Sequence, residues 1–505
     1  MKKLNAMSNP LDIPEAWDFI TDVVVIGFGG AGFAVSVTAH DLGSDVILLE
    51  KAPEGAAGGN TRVAAQGYLS LEGEEDAIDY LTALCGHYKV PSEMIRVWAQ
   101  EMCKNKEWLT SLGGDPQEHQ HPPAGIEFPH LRGSRCVHKF HEGDTYGYGK
   151  TWELFERLTK DRAKKGEHPL RIFYETPGRG LVQSKETGEI IGVRAERNGL
   201  PITIKARKGV VLTCGGFENN QDMIRDYLPG MPYCYTTGSP YNEGDGITMG
   251  LEVGADLWHM NNFAGPALQL KAEGHPTTFS MRALHFSKEM QGGMIVVGAD
   301  GKRFTDEKYK TCHGKIPRNG TYQPLPTPCP IHMIFDHELF CAGPLYDMHP
   351  RSGWTTVMGR YDWSNDNEKE LKNGWIKKAN CFDDLANDIS LSPEVLKSTV
   401  QHWNAMMRDG CDRDFGRKLM LKPIGAAPYY SVELSPTMLN TQGGPRRNEN
   451  AEIVRPDGSP IGRLYSSGEL GSIYSNLYQG AGNIGECLAF GRIAGRNVAM
   501  LTPWD

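Results

Sequence analysis

DVVVIGFGGAGFAVSVTAHDLGSDVILLEK, residues 22–51, decides how the rest of the chain is read. Val23 to Ile26 predict a short buried strand. Gly27, Gly29 and Gly32 follow in G-x-G-x-x-G spacing, an apolar-periodic helix is predicted from Phe33 to Leu42, and Gly43 suits its C-terminal stop. Val46 to Leu49 predict a second strand that ends at Glu50. Together they make a βαβ unit of about 30 residues, the size of a dinucleotide site. Gly27 allows a tight turn out of the strand, Gly29 clears the approach of a pyrophosphate, and Gly32 lets helix and sheet pack closely. The helix N-terminus offers N–H groups and partial positive charge to phosphates. Glu50 can accept hydrogen bonds from a ribose diol.

Outward from this unit the chain reads as a soluble enzyme. Its 505 residues suggest about two to four domains, with 39% hydrophobic and 23% charged residues. The 59 glycines and 31 prolines predict many ordered loops, and the net charge of −9 gives no nucleic-acid surface. Eleven cysteines without a C-x-x-C predict free thiols rather than a disulfide framework, zinc ribbon or c-type haem site. The first residues lack an apolar signal segment, and the long uncharged run from Val23 to Ala39 fits strand-turn-helix. The expectation is a cytoplasmic protein with no membrane insertion.

Residues 52–70 are mostly small, with Asn60 and Thr61 as polar exceptions, and suit the approach of backbone to a large flat ligand. Residues 75–112 predict helix. Residues 113–149 read as loop carrying His119, His121, His130, His138 and His141. No pair falls at i, i+4 on a clear helix, so no metal site is expected, though one histidine could line a substrate pocket. A charged helix is predicted over 150–166, then a hairpin between Leu181-Val182 and Ile190–Val193 about KETGE. Val210 to Thr213 predict a buried strand ending at Gly215-Gly216, where a sheet lets a cofactor come close. GDG at 244–246 opens a helix. From about Gly265 to Leu439 no second phosphate fingerprint occurs, and an inserted α+β domain is expected. Gly-rich sequence returns at 440, ending in a helix whose N-terminus carries Gly480, Gly482 and Gly485.

In order, the fingerprint with Glu50, GGNT at 58–61, TCGGF at 213–217, GDGI at 244–247, GKRF at 301–304, SSGE at 466–469 and FGRIAG at 490–495 resemble a flavoprotein superfamily. Its members include soluble fumarate reductases, succinate dehydrogenase flavoprotein subunits, urocanate reductases and 3-ketosteroid dehydrogenases. The resemblance implies FAD and an α/β fold: a Rossmann-type FAD-binding domain (1–264 and 440–505) with an inserted α+β capping domain (265–439). It implies that Gly27, Gly29 and Gly32 hold the pyrophosphate and Glu50 the adenosine ribose. Gly59, Asn60 and Thr61 would lie near the pyrophosphate and ribityl chain, Val182 near adenine, and Gly468 and Glu469 along the ribityl chain. Asn483 and Ile484 would lie near flavin N1 and O2, where a helix N-terminus stabilises negative charge on reduced flavin. Gly30, Ala31, Lys51, Gly58, Gln66, Gly67, Cys214, Gly215, Gly216, Asp245 and Gly482, in the same motifs, complete the candidate cofactor surface.

The departures bear on substrate. Fumarate-type members clamp two carboxylates with arginines and histidines. Here Thr311 falls where their proton-donating arginine stands, Leu439-Asn440 replace a His-His pair, Asn483 replaces an arginine, and FAGPA at 263–267 takes the place of H-P-T. GHPT at 274–277 lies beyond the expected position. Burying a carboxylate without a partner costs several kcal/mol, so a dicarboxylate is not expected. The 4-ene-type ketosteroid dehydrogenases place a Tyr-x-Ser before the last glycine-rich loop, and Tyr478-Gln479-Gly480 stands there. By this resemblance Tyr478 is the candidate hydrogen-bond donor to a ketone, Gly480 takes the serine's place, and Tyr309 is the candidate proton carrier. Tyr474, Lys310 and His313 are held in reserve.

The resulting expectation is hydride transfer between flavin N5 and a carbon adjacent to a carbonyl of a bulky neutral ketone, with an unidentified electron donor or acceptor. Two alternatives stand beside it: a reductase of unsaturated carboxylic acids of the urocanate or acrylate kind, and a flavin-binding protein without turnover.

Overall fold

The apolar run Val23–Ile26 forms the inner half of a strand, Phe19–Ile26, in the computed structural model, which describes residues 9–119, 126–144, 146–147, 149–164, 167–265, 268–275, 278–346 and 361–504. The strand begins earlier than its apolar run because Phe19 to Thr21 continue the parallel pairing with the long strand Leu200–Leu212, across an irregularity before Val23. On its other side it pairs in parallel with Val46–Leu49, Val23 opposite Val46. Leu170–Phe173 extends the sheet in parallel beyond Val46–Leu49, and Pro460–Ser466 lies parallel to Leu200–Leu212. Strands buried on both faces read as continuous apolar runs, which is why Val23–Ile26 and Val46–Leu49 are legible without alternation. The hairpin about KETGE is present as antiparallel strands Gly178–Gln183 and Ile190–Arg197.

The first helix runs Gly30–Asp41, its opening turn made by the fingerprint glycines, with Phe33 N donating to Gly29 O. It packs against the C-terminal helix Gly482–Ala499. A Cβ on Gly491 would lie 2.5 Å from Ala34 Cβ, and one on Gly495 2.8 Å from Thr38 Cβ. The two ends of the chain therefore meet through glycine, and both place a helix N-terminus at the same end of the sheet.

The span 75–112 is three helices, Glu74–Cys85, Ser92–Met102 and Asn105–Ser111, broken by Gly86 and by the turn at Cys103-Lys104. The expected loop at 113–149 contains strands instead: Pro116–Glu118 and Val137–Glu142 form a small antiparallel sheet with Tyr68–Leu71. His138 and His141 lie on that sheet. His121, part of FAGPA and part of GHPT fall outside the described residues.

A second sheet has its strands between Tyr235 and Met438, in the order Tyr235-Thr236, Tyr429–Met438, Ile331–Phe335, Met294–Val297, with Ile376–Ala379 also on Tyr429–Met438. Helices Phe382–Asp388 and Pro393–Arg408 cover one face and bury Leu385, Leu396, Val400 and Trp403. Beneath this capping sheet lies a buried charge network. Arg303 Nε meets Glu307 Oε1 at 2.7 Å, Arg303 Nη2 meets Asp412 Oδ2 at 2.8 Å, and Arg417 Nη1 reaches Glu307 Oε2 at 3.3 Å. All eleven cysteines are free. Among the described residues no helix is long and apolar enough to cross a membrane, and no group of three or more His, Cys, Asp or Glu side chains could hold a metal.

Candidate active site

A cavity of about 320 Å³ runs from the fingerprint to the seam between the two sheets. Its nucleotide end is shaped by backbone. Gly27 has φ +109°, and a Cβ there would come within 2.5 Å of Thr213 O; one on Gly32 would come within 2.0 Å of Gly27 O. A Cβ on Gly29 would meet nothing closer than 3.5 Å. Gly29 is therefore not needed for packing, and the space above it is available to a ligand. Gly30 N donates to Thr61 Oγ1 at 3.0 Å. Glu50 is buried and accepts from Phe28 N at 2.8 Å and Ala52 N at 2.7 Å, and burial raises its pKa despite those bonds. Lys51 and Asp245 also line the cavity, paired with each other at 2.9 Å, and Lys51 also pairs with Glu243.

Further along, Asn60 Nδ2 bridges two carboxylates, Glu218 Oε1 at 2.8 Å and Glu469 Oε2 at 3.0 Å. Burial, and next the charge of Glu218, push Glu469 well above the usual carboxyl range. Burial raises Glu218 as well, so like charges in a dry site keep the pair from ionising together. Gly67, Gln66, Cys214, Gly215, Ala31, Asn483 and Ile484 share the cavity wall. Gly216 lies behind it, where a Cβ would strike Thr441 Oγ1 at 2.1 Å. Gly58 (φ +119°) packs on Trp152, and Gly468 (φ +78°) packs on Ala31. Gly482 is the first residue of the C-terminal helix, packed on the Tyr474 hydroxyl. Val182 is buried within its strand and is not on the wall.

The other end is lined by side chains. Tyr478 faces His313, ring centroids 4.7 Å apart, and its hydroxyl accepts from Asn483 N at 3.4 Å. His313 Nε2 lies 2.8 Å from Glu127 Oε2, which also accepts from Gly480 N at 2.9 Å. A Cβ on Gly480 would come within 2.7 Å of Glu127 Oε1, so the missing side chain makes room for this carboxylate. Burial alone would raise Glu127, but the charge and hydrogen bond of His313, the Gly480 N–H and the charge of Lys139 outweigh it and hold it below the usual range. His313 has φ +50°, a conformation that non-glycine residues hold at a cost. Lys139 Nζ sits 4.5 Å from the Tyr146 ring centroid and makes no ion pair among the described residues. Burial raises Tyr478 far above the ordinary phenol value, so it remains a donor at any physiological pH.

Tyr309 does not join this group. It is 41% exposed and off the cavity wall. The position expected of it is taken by His313, a reserve candidate. Tyr474 is buried behind the wall. Glu127, Lys139 and Tyr146 escape a motif reading because they come from 113–149, the stretch read as loop. On the strand Val137–Glu142, Lys139 reaches the cavity wall, while His141, two residues on, is buried beside Tyr146.

The fit to a flavin dinucleotide is physical. Open space lies above Gly29, a helix N-terminus faces it, and at the N-terminus of the C-terminal helix Asn483 Nδ2 is buried with no hydrogen-bond partner among the described residues. A family model described as FAD binding domain matches residues 22–484. The chain belongs to this FAD-binding family. Its cofactor is FAD, and it is an oxidoreductase acting on carbon–carbon bonds. Digoxin reductase of Eggerthella lenta is 26% identical over 551 residues, covering 98% of this chain and 90% of the relative. Urocanate reductase of the same organism is 26% identical over 514 residues, covering 97% and 77%. Among solved structures, the 3-ketosteroid delta1-dehydrogenase of Sterolibacterium denitrificans superposes with a TM-score of 0.69 at 21% identity, over 95% of this chain and 99% of that one. At that identity the likeness concerns the fold.

Proposed function

We propose that this family member reduces the C=C bond of an unsaturated monocarboxylic acid. One observation carries the reading: Lys139 places an ammonium on the cavity wall that acts on Glu127 through its charge but makes no ion pair among the described residues. Lys51, the other lysine on the wall, is already paired, and one cation outside an ion pair suits one carboxylate. No arginine lines the cavity among the described residues, which disfavours a dicarboxylate, since the second charge would be buried unpaired. A relative named urocanate reductase adds support.

FAD, when bound, supplies the hydride donor and acceptor. The chain's own residues do the rest. Lys139 orients the acid. The Tyr478 hydroxyl donates a hydrogen bond to the carboxyl oxygen on which negative charge gathers, the task of an oxyanion hole. His313, oriented by Glu127, carries the proton for the carbon next to the carboxyl group. Asn60, Thr61, Glu469 and Asn483, which line the cavity, would hold the cofactor.

The test is a dye-coupled assay with acrylate, urocanate, cinnamate, fumarate and a neutral enone. Turnover of the monoacids is expected. Lys139→Met should raise KM for them by roughly 10- to 100-fold with kcat little changed, the loss of a charge-assisted bond made equally in ground and transition states. Turnover of the neutral enone alone, unaffected in Lys139→Met, would overturn the proposal. That outcome would favour the neutral-ketone reading, whose support is Tyr478 and the lack of arginine on the cavity wall among the described residues.

A further inference from the structure

A second cavity, of about 260 Å³, lies beside the first and is lined by Tyr88, Leu228, Met231, Phe263, Tyr322 and Lys315, with Asn262, Ser475 and Asn476 among its polar walls. Lys315 is only 7% exposed. Its Nζ donates to Asn262 Oδ1 at 2.5 Å and to the backbone oxygen of Asn476. No carboxylate pairs with it among the described residues. An ammonium has three N–H groups, and the third has no acceptor there. A buried cation is normally paired; this one instead borders an open cavity whose walls are partly apolar and partly neutral polar.

We propose that this cavity is a second ligand site, taking a small monocarboxylate with an apolar body, and that its occupancy is felt at the flavin cavity. Lys315 meets the carboxylate, while Phe263, Leu228 and Met231 cover the body. The coupling follows from shared walls. Ala264 faces the flavin cavity and its neighbour Phe263 the second one; His313 faces the first and Lys315 the second; Tyr478 lines the first, while Ser475 and Asn476 line the second. Asn262 links Lys315 to the loop that carries Tyr478, accepting from Lys315 and donating from Nδ2 to Tyr474 O at 2.6 Å, four residues before Tyr478. The inference does not rest on the substrate assigned above, which concerns Lys139.

The missing counter-ion leaves a second signature. Burial lowers the Lys315 pKa to about 7, so at pH 8 the free amine is largely neutral, and a bound carboxylate must draw a proton onto it. The other titratable groups on this wall among the described residues are the phenols of Tyr88 and Tyr322.

The experiment is calorimetric titration of the FAD-loaded protein with sodium benzoate, in buffers of different ionisation heat at pH 8. Wild type and Lys139→Met should both bind benzoate with net proton uptake. Lys315→Met should bind at least about tenfold more weakly at this site, the equivalent of 1.4 kcal/mol, and lose the uptake while keeping its flavin absorbance. Binding that Lys139→Met abolishes, or that Lys315→Met leaves intact, would overturn the inference. The proton uptake of the wild type needs no variant, and its absence would overturn it too.

Discussion

The two ends of the flavin cavity are built from different materials. At the nucleotide end the contacts are backbone: Gly27 against Thr213 O, Gly32 against Gly27 O, and N–H groups at a helix start. At the substrate end they are side chains from separate segments: Glu127, Lys139, Tyr146, His313 and Tyr478. Backbone contacts tolerate no side chain, so they impose glycine at fixed spacing. Side-chain contacts depend on how distant segments meet, so they leave little local pattern. One end is constrained by sterics and the other is free to specialise.

The largest effects should come from the steric end, and they separate packing from binding. Gly32→Ala puts a Cβ 2.0 Å from a backbone oxygen. Neither atom can move without shifting strand or helix, at a cost above about 3 kcal/mol. The variant should lose both its flavin and much of its thermal stability. Gly29→Ala meets no atom closer than 3.5 Å. Its apoprotein should unfold at the wild-type temperature, while FAD affinity falls because the methyl group occupies the path of the pyrophosphate. Equal FAD affinity in Gly29→Ala and wild type would break the comparison, for the pyrophosphate would then pass elsewhere.

The capping sheet should behave in the opposite way, losing stability before it loses cofactor. Asp412→Asn removes one carboxylate from the buried Arg303–Glu307–Asp412–Arg417 network. Breaking such a pair costs about 3–5 kcal/mol because the partner's charge stays buried. FAD affinity should be unchanged, since none of these residues lines the cavity. Burial would raise the Asp412 pKa, but the hydrogen bonds and charge of Arg303 outweigh it and hold it at about 2, against an ordinary 3.8. A carboxyl group lowered on folding stabilises fully above its unfolded value, and the benefit disappears as pH falls through the folded one. The gap between wild type and Asp412→Asn in chemical denaturation should therefore be constant above about pH 5 and narrow toward pH 2. A gap constant across that window would place the effect in packing rather than charge.

The same contrast explains what could be read in the chain before its structure. The strands Val23–Ile26 and Val46–Leu49 and the first turn of the helix behind them were legible, because a phosphate site forces glycine and a parallel sheet forces apolar runs. The helix at the C-terminus was legible for the same reason. Glu127 and Lys139 were not, since nothing local marks a lysine on a strand such as Val137–Glu142 as facing a cavity. Gly480 was singled out for the serine it lacks, and the space that this leaves is filled by the carboxylate of Glu127.

Tyr478 and Tyr309 give the finest test, because motif position nominates both and geometry separates them. Tyr478 lines the cavity beside His313 and Asn483, whereas Tyr309 is exposed and reaches no wall. Tyr478→Phe keeps the ring against His313 and removes only the hydroxyl. One lost oxyanion donor lowers kcat by roughly 10²-fold, with flavin content intact. Tyr309→Phe should leave kcat within about twofold, the range of surface substitutions. Should Tyr309→Phe instead slow a solvent-isotope-sensitive step while Tyr478→Phe does not, the proton would enter from the exposed side of the capping sheet, and His313 would serve only to hold Glu127 in place.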